Sequence, residues 1–138
     1  IWKVYLSVRS RFVKNGEEKL SKREVRLIRR IIRDYQFRGA SPRVIFDMWQ
    51  GVAEGESKYI KPFAKRADVF FDTIFDYEPA VMKKLVTPLL SQLLQDSAYR
   101  EQAAKLISAL SLFDDLPAEF VPKSSVIREF IGGSEYYK

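Results

Sequence analysis

The sequence contains no cysteine and no histidine. Without cysteine there are no disulfides and no thiolate metal sites. Without histidine the commonest metal ligand and the usual general base near neutrality are gone. Chemistry on this chain is left to carboxylates, arginines, lysines and tyrosines, or to groups from outside it. Long apolar runs are also lacking. None approaches the roughly 20 residues that span a bilayer, and no secretory leader pattern is visible. A membrane partner is therefore not expected, and a cytoplasmic location is. There is no internal repeat and no low-complexity tract. What is present is 138 residues, 46% of them hydrophobic and 14% aromatic. That suits one compact domain or a large piece of one, with material for a core.

The net charge of +6 is spread unevenly. Residues 1–66 hold 17 Lys/Arg against 7 Asp/Glu, whereas residues 67–138 hold 7 against 11. Basic character concentrated in one half points to an anionic partner.

Trp2, Val4, Leu6 and Val8 alternate with Lys3, Tyr5, Ser7 and Arg9, which predicts a strand over Ile1–Val8. It begins without Met or a solvated lead-in, so a piece of a longer chain is expected. Asn15-Gly16 marks a loop. Ser21 stands three residues before Glu24, a capping box that opens a helix over about Lys22–Phe37, stopping near Gly39. Ser41-Pro42 opens a second helix, expected to end near Gly51. A third is expected over Glu54–Lys65. Ala67–Phe75 is rich in β-formers and reads as a buried strand. Tyr77–Gln95 is expected helical, with Pro88 forcing a break or kink. Ser97–Leu112 follows as an amphipathic helix, then a loop over Asp114–Pro122 and a last turn or short strand over Ser125–Ile131. Two strands joined by a long helical crossover suit neighbouring parallel strands of an α/β sheet. Two strands alone do not make a parallel sheet buried on both faces, so further strands are expected upstream.

The first helix carries the sharpest signal. With about 100° per residue, Arg26, Arg29, Arg30 and Arg33 share one face, and Leu27, Ile28, Ile31, Ile32 and Tyr35 lie opposite. Like charges three and four apart repel by tenths of a kcal/mol per pair, so the helix gains no stability from collecting them. All four are arginine, whose planar fork fits phosphate oxygens bidentately. Asp34 is placed to hold a neighbouring guanidinium. The face alone is compatible with nucleotide phosphate, nucleic acid or a protein interface. Against nucleic acid, no stacking aromatics are interleaved with the basic residues, and no helix-turn-helix or RNA-motif signature is present.

The run Arg26-Leu27-Ile28-Arg29-Arg30-Ile31-Ile32-Arg33-Asp34, followed by Arg38-Gly39, resembles the uridine kinase family of P-loop kinases. Three other stretches carry the likeness. Trp49–Ile60 is similar to the W-P-S-V-x-x-G-E-x-x-x-I segment of a bacterial subgroup. Ala67-Asp68-Val69 matches the family's A-D-V strand start. Arg128-Glu129-Phe130-Ile131-Gly132-Gly133-Ser134 looks like that subgroup's tail. Its members often carry a threonyl-tRNA-synthetase-like N-terminal region. The likeness spans nearly the whole chain. It implies an α/β fold, a partial P-loop kinase, with residues 1–138 as the C-terminal portion and a lid over about 21–41. The implied activity is transfer of the γ-phosphoryl of ATP, with Mg, to the 5′-hydroxyl of uridine or a similar nucleoside, in pyrimidine salvage. Arg29, Arg33 and Arg38 match positions facing the ATP phosphates, Arg33 and Arg38 being the catalytic pair. Arg30 matches the position that reaches the nucleoside. ATP and nucleoside are the implied partners, and a homo-oligomer is compatible.

Where the family reads R-G-R, the last position here is Ala40, and a downstream glutamine is replaced by Met48. Nucleoside identity stays open. No G-x-x-x-x-G-K-[ST] occurs. The phosphate loop, the magnesium ligand and the general base are expected upstream, and this chain alone should neither bind ATP well nor turn over. The alternative is a non-catalytic basic module for RNA or a partner protein. Glu54, Glu56 and Asp68 read as helix-start acids and a strand-edge aspartate. Phe70, Phe71 and Phe75 read as core, Lys83-Lys84 as solvated surface, and Tyr136–Lys138 as a loose terminus. No metal site is expected from these side chains.

Overall fold

Ser21 caps the first helix as its sequence predicts. In the computed structural model, which describes residues 1–136, the Ser21 hydroxyl accepts from the Glu24 N–H at 3.2 Å, and the Glu24 carboxylate accepts from the Ser21 N–H at 2.8 Å. Helix α1 runs Lys22–Arg38 and ends on Gly39, whose φ of 65° is the left-handed turn that glycine adopts without a Cβ clash. Helix α2 starts from Ser41 with Pro42 in its first turn and runs Pro42–Tyr59. A short α3, Lys61–Ala64, follows.

The expected end near Gly51 is corrected: α2 is continuous through Gly51 and Gly55. A helical glycine costs about 1 kcal/mol relative to alanine, which the packing of Ile45, Phe46 and Trp49 offsets. Glu54 and Glu56 are therefore mid-helix acids, not helix-start acids.

The two expected strands form and pair. Strand β1, Val4–Ser7, lies parallel to β4, Val69–Asp72, with Val4 opposite Val69 and Leu6 opposite Phe71. Between them Asn15-Gly16 turns a hairpin of β2, Phe12–Lys14, and β3, Glu17–Leu20. Both turn residues have positive φ (53° and 79°), the requirement of a tight hairpin turn whose twist matches the strands.

Helix α4 spans Glu78–Gln92 and α5 spans Arg100–Leu110, with α6 at Arg128–Ile131. Pro88 does not break α4, which continues four residues beyond it. The core gathers Leu27, Ile31 and Ile32 of α1, Val86 and Leu90 of α4, Leu106 and Leu110 of α5, and Ile127. Each such side chain contributes about 1.5–3 kcal/mol by leaving water. The fold is α/β and helix-rich, with α1 packed among α2, α4 and α6.

Several burial expectations differ from the structure. Phe70 and Phe71 are 43% and 55% exposed, and Phe75 is half-buried at the core's margin. Phe71 shares the sheet face of Val4 and Leu6, which carries no covering layer among the described residues, whereas Phe70 lies on the other face against Tyr5 and the Arg9 guanidinium. Tyr35 is exposed because α1 runs past the core before Gly39. Lys83 is not a free surface lysine; it donates to the Phe113 carbonyl at 2.9 Å and pairs with Asp115. The terminal expectation for Tyr137 and Lys138 lies outside the described residues. No helix among the described residues is long and apolar enough to cross a membrane.

Candidate anion-binding site

Four of the six arginines of α1, Arg26, Arg29, Arg30 and Arg33, line one cavity of about 240 Å³. Its other walls are Leu6, Ser7 and Val8 at the end of β1, Thr73 just past β4, Trp49 and Val52 of α2, and Phe130. The cavity thus opens at the carboxyl ends of two parallel strands, where open α/β sheets hold their ligands. Asp72 fixes that rim. Its carboxylate accepts from the Arg9 N–H at 3.0 Å, the Ser10 N–H at 2.8 Å and the Ile74 N–H at 3.2 Å, joining the exits of β1 and β4. Burial works against its charge, but bonds from the Ser10 hydroxyl and these backbone donors outweigh it and hold the carboxyl below its ordinary range.

The arginines share a face but not a bonding state. Arg29 is 7% exposed. Its Nε donates to Glu78 Oε2 at 2.8 Å, Nη2 donates to Glu78 Oε1 and the Thr73 carbonyl, and Nη1 reaches Thr73 Oγ1 at 3.4 Å. Most of its fork is spent inside the protein. Glu78, 1% exposed, also accepts from the Phe75 N–H at 2.8 Å. The ring of Phe130 lies 5.2 Å from the Arg29 guanidinium carbon, covering it further. Arg26 is paired with Glu56 of α2.

Arg30, Arg33 and Arg38 converge on one carboxylate. Asp34 receives Arg33 Nε at 2.8 Å, with Arg38 Nη1 at 3.3 Å and Arg30 Nε at 3.2 Å. Arg30 and Arg33 stay half-buried beside the cavity, while Arg38 stands at the exposed end of α1 and does not line it. Such an arrangement can bind an oxyanion and offer forked donors to charge that develops on it.

A second, larger cleft of about 820 Å³ adjoins the first through Ser7, Val8 and Arg26. Arg9, Lys22, Arg23, Lys58 and Lys61 line it, and none has a carboxylate partner among the described residues.

Sequence reading missed Glu78 and Thr73. Glu78 before Pro79 carries only the signature of a helix start; nothing local ties it to Arg29, 49 residues away. Asp68 ends as expected at the strand's edge, its carboxylate taking the Lys3 N–H at 2.8 Å. The guanidinium cluster suits phosphate groups such as those of ATP. For Mg, no group of three or more acidic, His or Cys ligands occurs among the described residues, and Asp34, Asp72 and Glu78 are each engaged by arginine or backbone donors, so these side chains do not fit that ion.

Compared with known families, residues 20–78 match the model described as "Phosphoribulokinase / Uridine kinase family", a stretch that includes α1, α2, α3, β4 and Glu78. Neither the curated proteins nor the solved structures yield a match.

Proposed function

Starting from residues 20–78 as a stretch of the phosphoribulokinase/uridine kinase family, we propose that the chain is the lid-bearing C-terminal portion of an ATP-dependent nucleoside kinase. The reaction is transfer of the ATP γ-phosphoryl to the 5′-hydroxyl of uridine or a similar nucleoside. The observation that carries this reading is the convergence of Arg30, Arg33 and Arg38 on Asp34, with Arg30 and Arg33 also lining the cavity. Arg33 and Arg38 hold and stabilise the phosphates, and Arg30, held on the same carboxylate, reaches toward the nucleoside at the phosphate it receives. Arg29, bound to Glu78 and Thr73, is the strut that sets α1 against α4 and the end of β4. In phosphoryl transfer little covalent work falls to the protein, and positioned cations neutralise charge on the equatorial oxygens.

The remaining parts of such a site, the phosphate loop and the holder of Mg, belong to further polypeptide. The bare apolar face of Trp2, Val4, Leu6 and Phe71 supports that reading, since parallel sheets are covered on both faces. The test is γ-labelled ATP with uridine and cytidine, given to the intact protein that carries this chain. Label in a nucleoside monophosphate supports the kinase; none, with any nucleoside, removes it.

A second reading is a non-catalytic basic module. The large cleft with Arg9, Lys22, Arg23, Lys58 and Lys61 favours it, because a groove of unpaired cations suits a polyanion such as RNA. RNA affinity that falls steeply with salt, without phosphoryl transfer, would select this reading.

A further inference from the structure

We propose that Asp34 is a positioning residue that sets Arg30, Arg33 and Arg38 as a receptor for a phosphate dianion. The proposal rests on the phosphate-binding reading of α1 and deepens it. Asp34 lies near the carboxyl end of its helix: its backbone carbonyl takes the closing bonds from the Gly39 and Ala40 N–H groups. An acid there meets the negative end of the helix dipole, which disfavours it. Its carboxylate, on a residue 4% exposed, meets three guanidiniums at 2.8, 3.2 and 3.3 Å.

The charges do not balance. One carboxylate faces three permanent cations, which leaves two positive charges for an incoming ligand, the charge of a phosphate dianion. Donors remain as well. Arg33 meets Asp34 through Nε, which leaves both of its Nη groups, and Arg38 meets it through one Nη. Arg30 Nε is buried without a hydrogen bond, since its approach to Asp34 is close but misaligned. Buried donors without acceptors are costly, and an oxyanion beside Arg30 relieves that cost. Asp34 thus holds Arg33 by a hydrogen bond and Arg30 and Arg38 by charge, and gathers a set of mutually repelling side chains into one array.

The experiment follows the arginine Nε–Hε resonances of the intact protein that carries this chain while inorganic tripolyphosphate is added. Wild type, Asp34→Asn, Asp34→Ala and Arg33→Ala are compared. If Asp34 only balances charge, deleting it tightens tripolyphosphate binding. Positioning demands the opposite sign: both Asp34 variants bind about tenfold more weakly, the scale typical of removing a group that orients ligands. Equal or tighter binding overturns the proposal. In the unaltered chain, Arg30, Arg33 and Arg38 must also titrate together with one affinity. A response from one of them alone overturns it even if neither variant folds. Arg33→Ala separates the two levels. Unchanged affinity in that variant removes the phosphate reading itself; weakened affinity there with tighter Asp34 variants removes only the positioning role.

Discussion

Arg29 and Glu78 are 49 residues apart in the chain and meet as a buried pair, Nε to Oε2 at 2.8 Å. One comes from the middle of α1 and the other from the first residue of α4. Their contact, with the Thr73 carbonyl on the same guanidinium, ties the arginine helix to the end of β4.

Breaking that pair should be severe. Arg29→Ala leaves the Glu78 carboxylate buried without its cation, and a loss of about 3–5 kcal/mol is expected. Urea unfolding measures it. Replacing both residues together, Arg29→Met with Glu78→Leu, should recover most of the loss, because a well-packed apolar pair needs no partner charge. A double variant as unstable as the single one would contradict this account of the contact.

The capping box makes a pH prediction. Burial raises the Glu24 carboxyl, but bonds from Lys105 at 2.7 Å and from Ser21 outweigh it, so its pKa is lowered when folded. A depressed carboxyl stabilises the fold above its unfolded value, near 4.5, and that contribution fades as pH falls through the lower folded value. Glu24→Gln should therefore melt below wild type at pH 7, with the gap closing in strong acid. Melting curves across that range decide it. A gap independent of pH would contradict the ion-pair account.

Core truncation gives a scale for these effects. Ile31 is fully buried on the apolar side of α1. Ile31→Ala should cost about 2–5 kcal/mol in urea unfolding, from lost transfer energy and the cavity left behind. A change under 1 kcal/mol would mean that α1 is not packed as described.

Much of this was legible beforehand, for identifiable reasons. Ser21 with Glu24, and Ser41 with Pro42, fix helix starts by local hydrogen bonding, so both appear where the residues place them. The parallel pairing of β1 with β4 follows from a crossover too long for a hairpin. Gly51 and Pro88 misled because propensity is local, and both sit in helices held by packing. Phe70 and Phe71 misled because β-rich composition gives no count of the layers that cover a strand. Within the site, the shared face of Arg26, Arg29, Arg30 and Arg33 was readable from helical spacing. The division of labour among them was not, since it depends on Glu56, Glu78 and Thr73, which reach the arginines only through tertiary packing.

The central claim is that the α1 guanidiniums act on a phosphoryl group in transfer. The most direct measurement is steady-state nucleoside phosphorylation by the intact protein with Arg33→Ala. The account predicts a fall in kcat of about 10²-fold or more, the scale of removing one donor to developing charge. Turnover equal to wild type would contradict it.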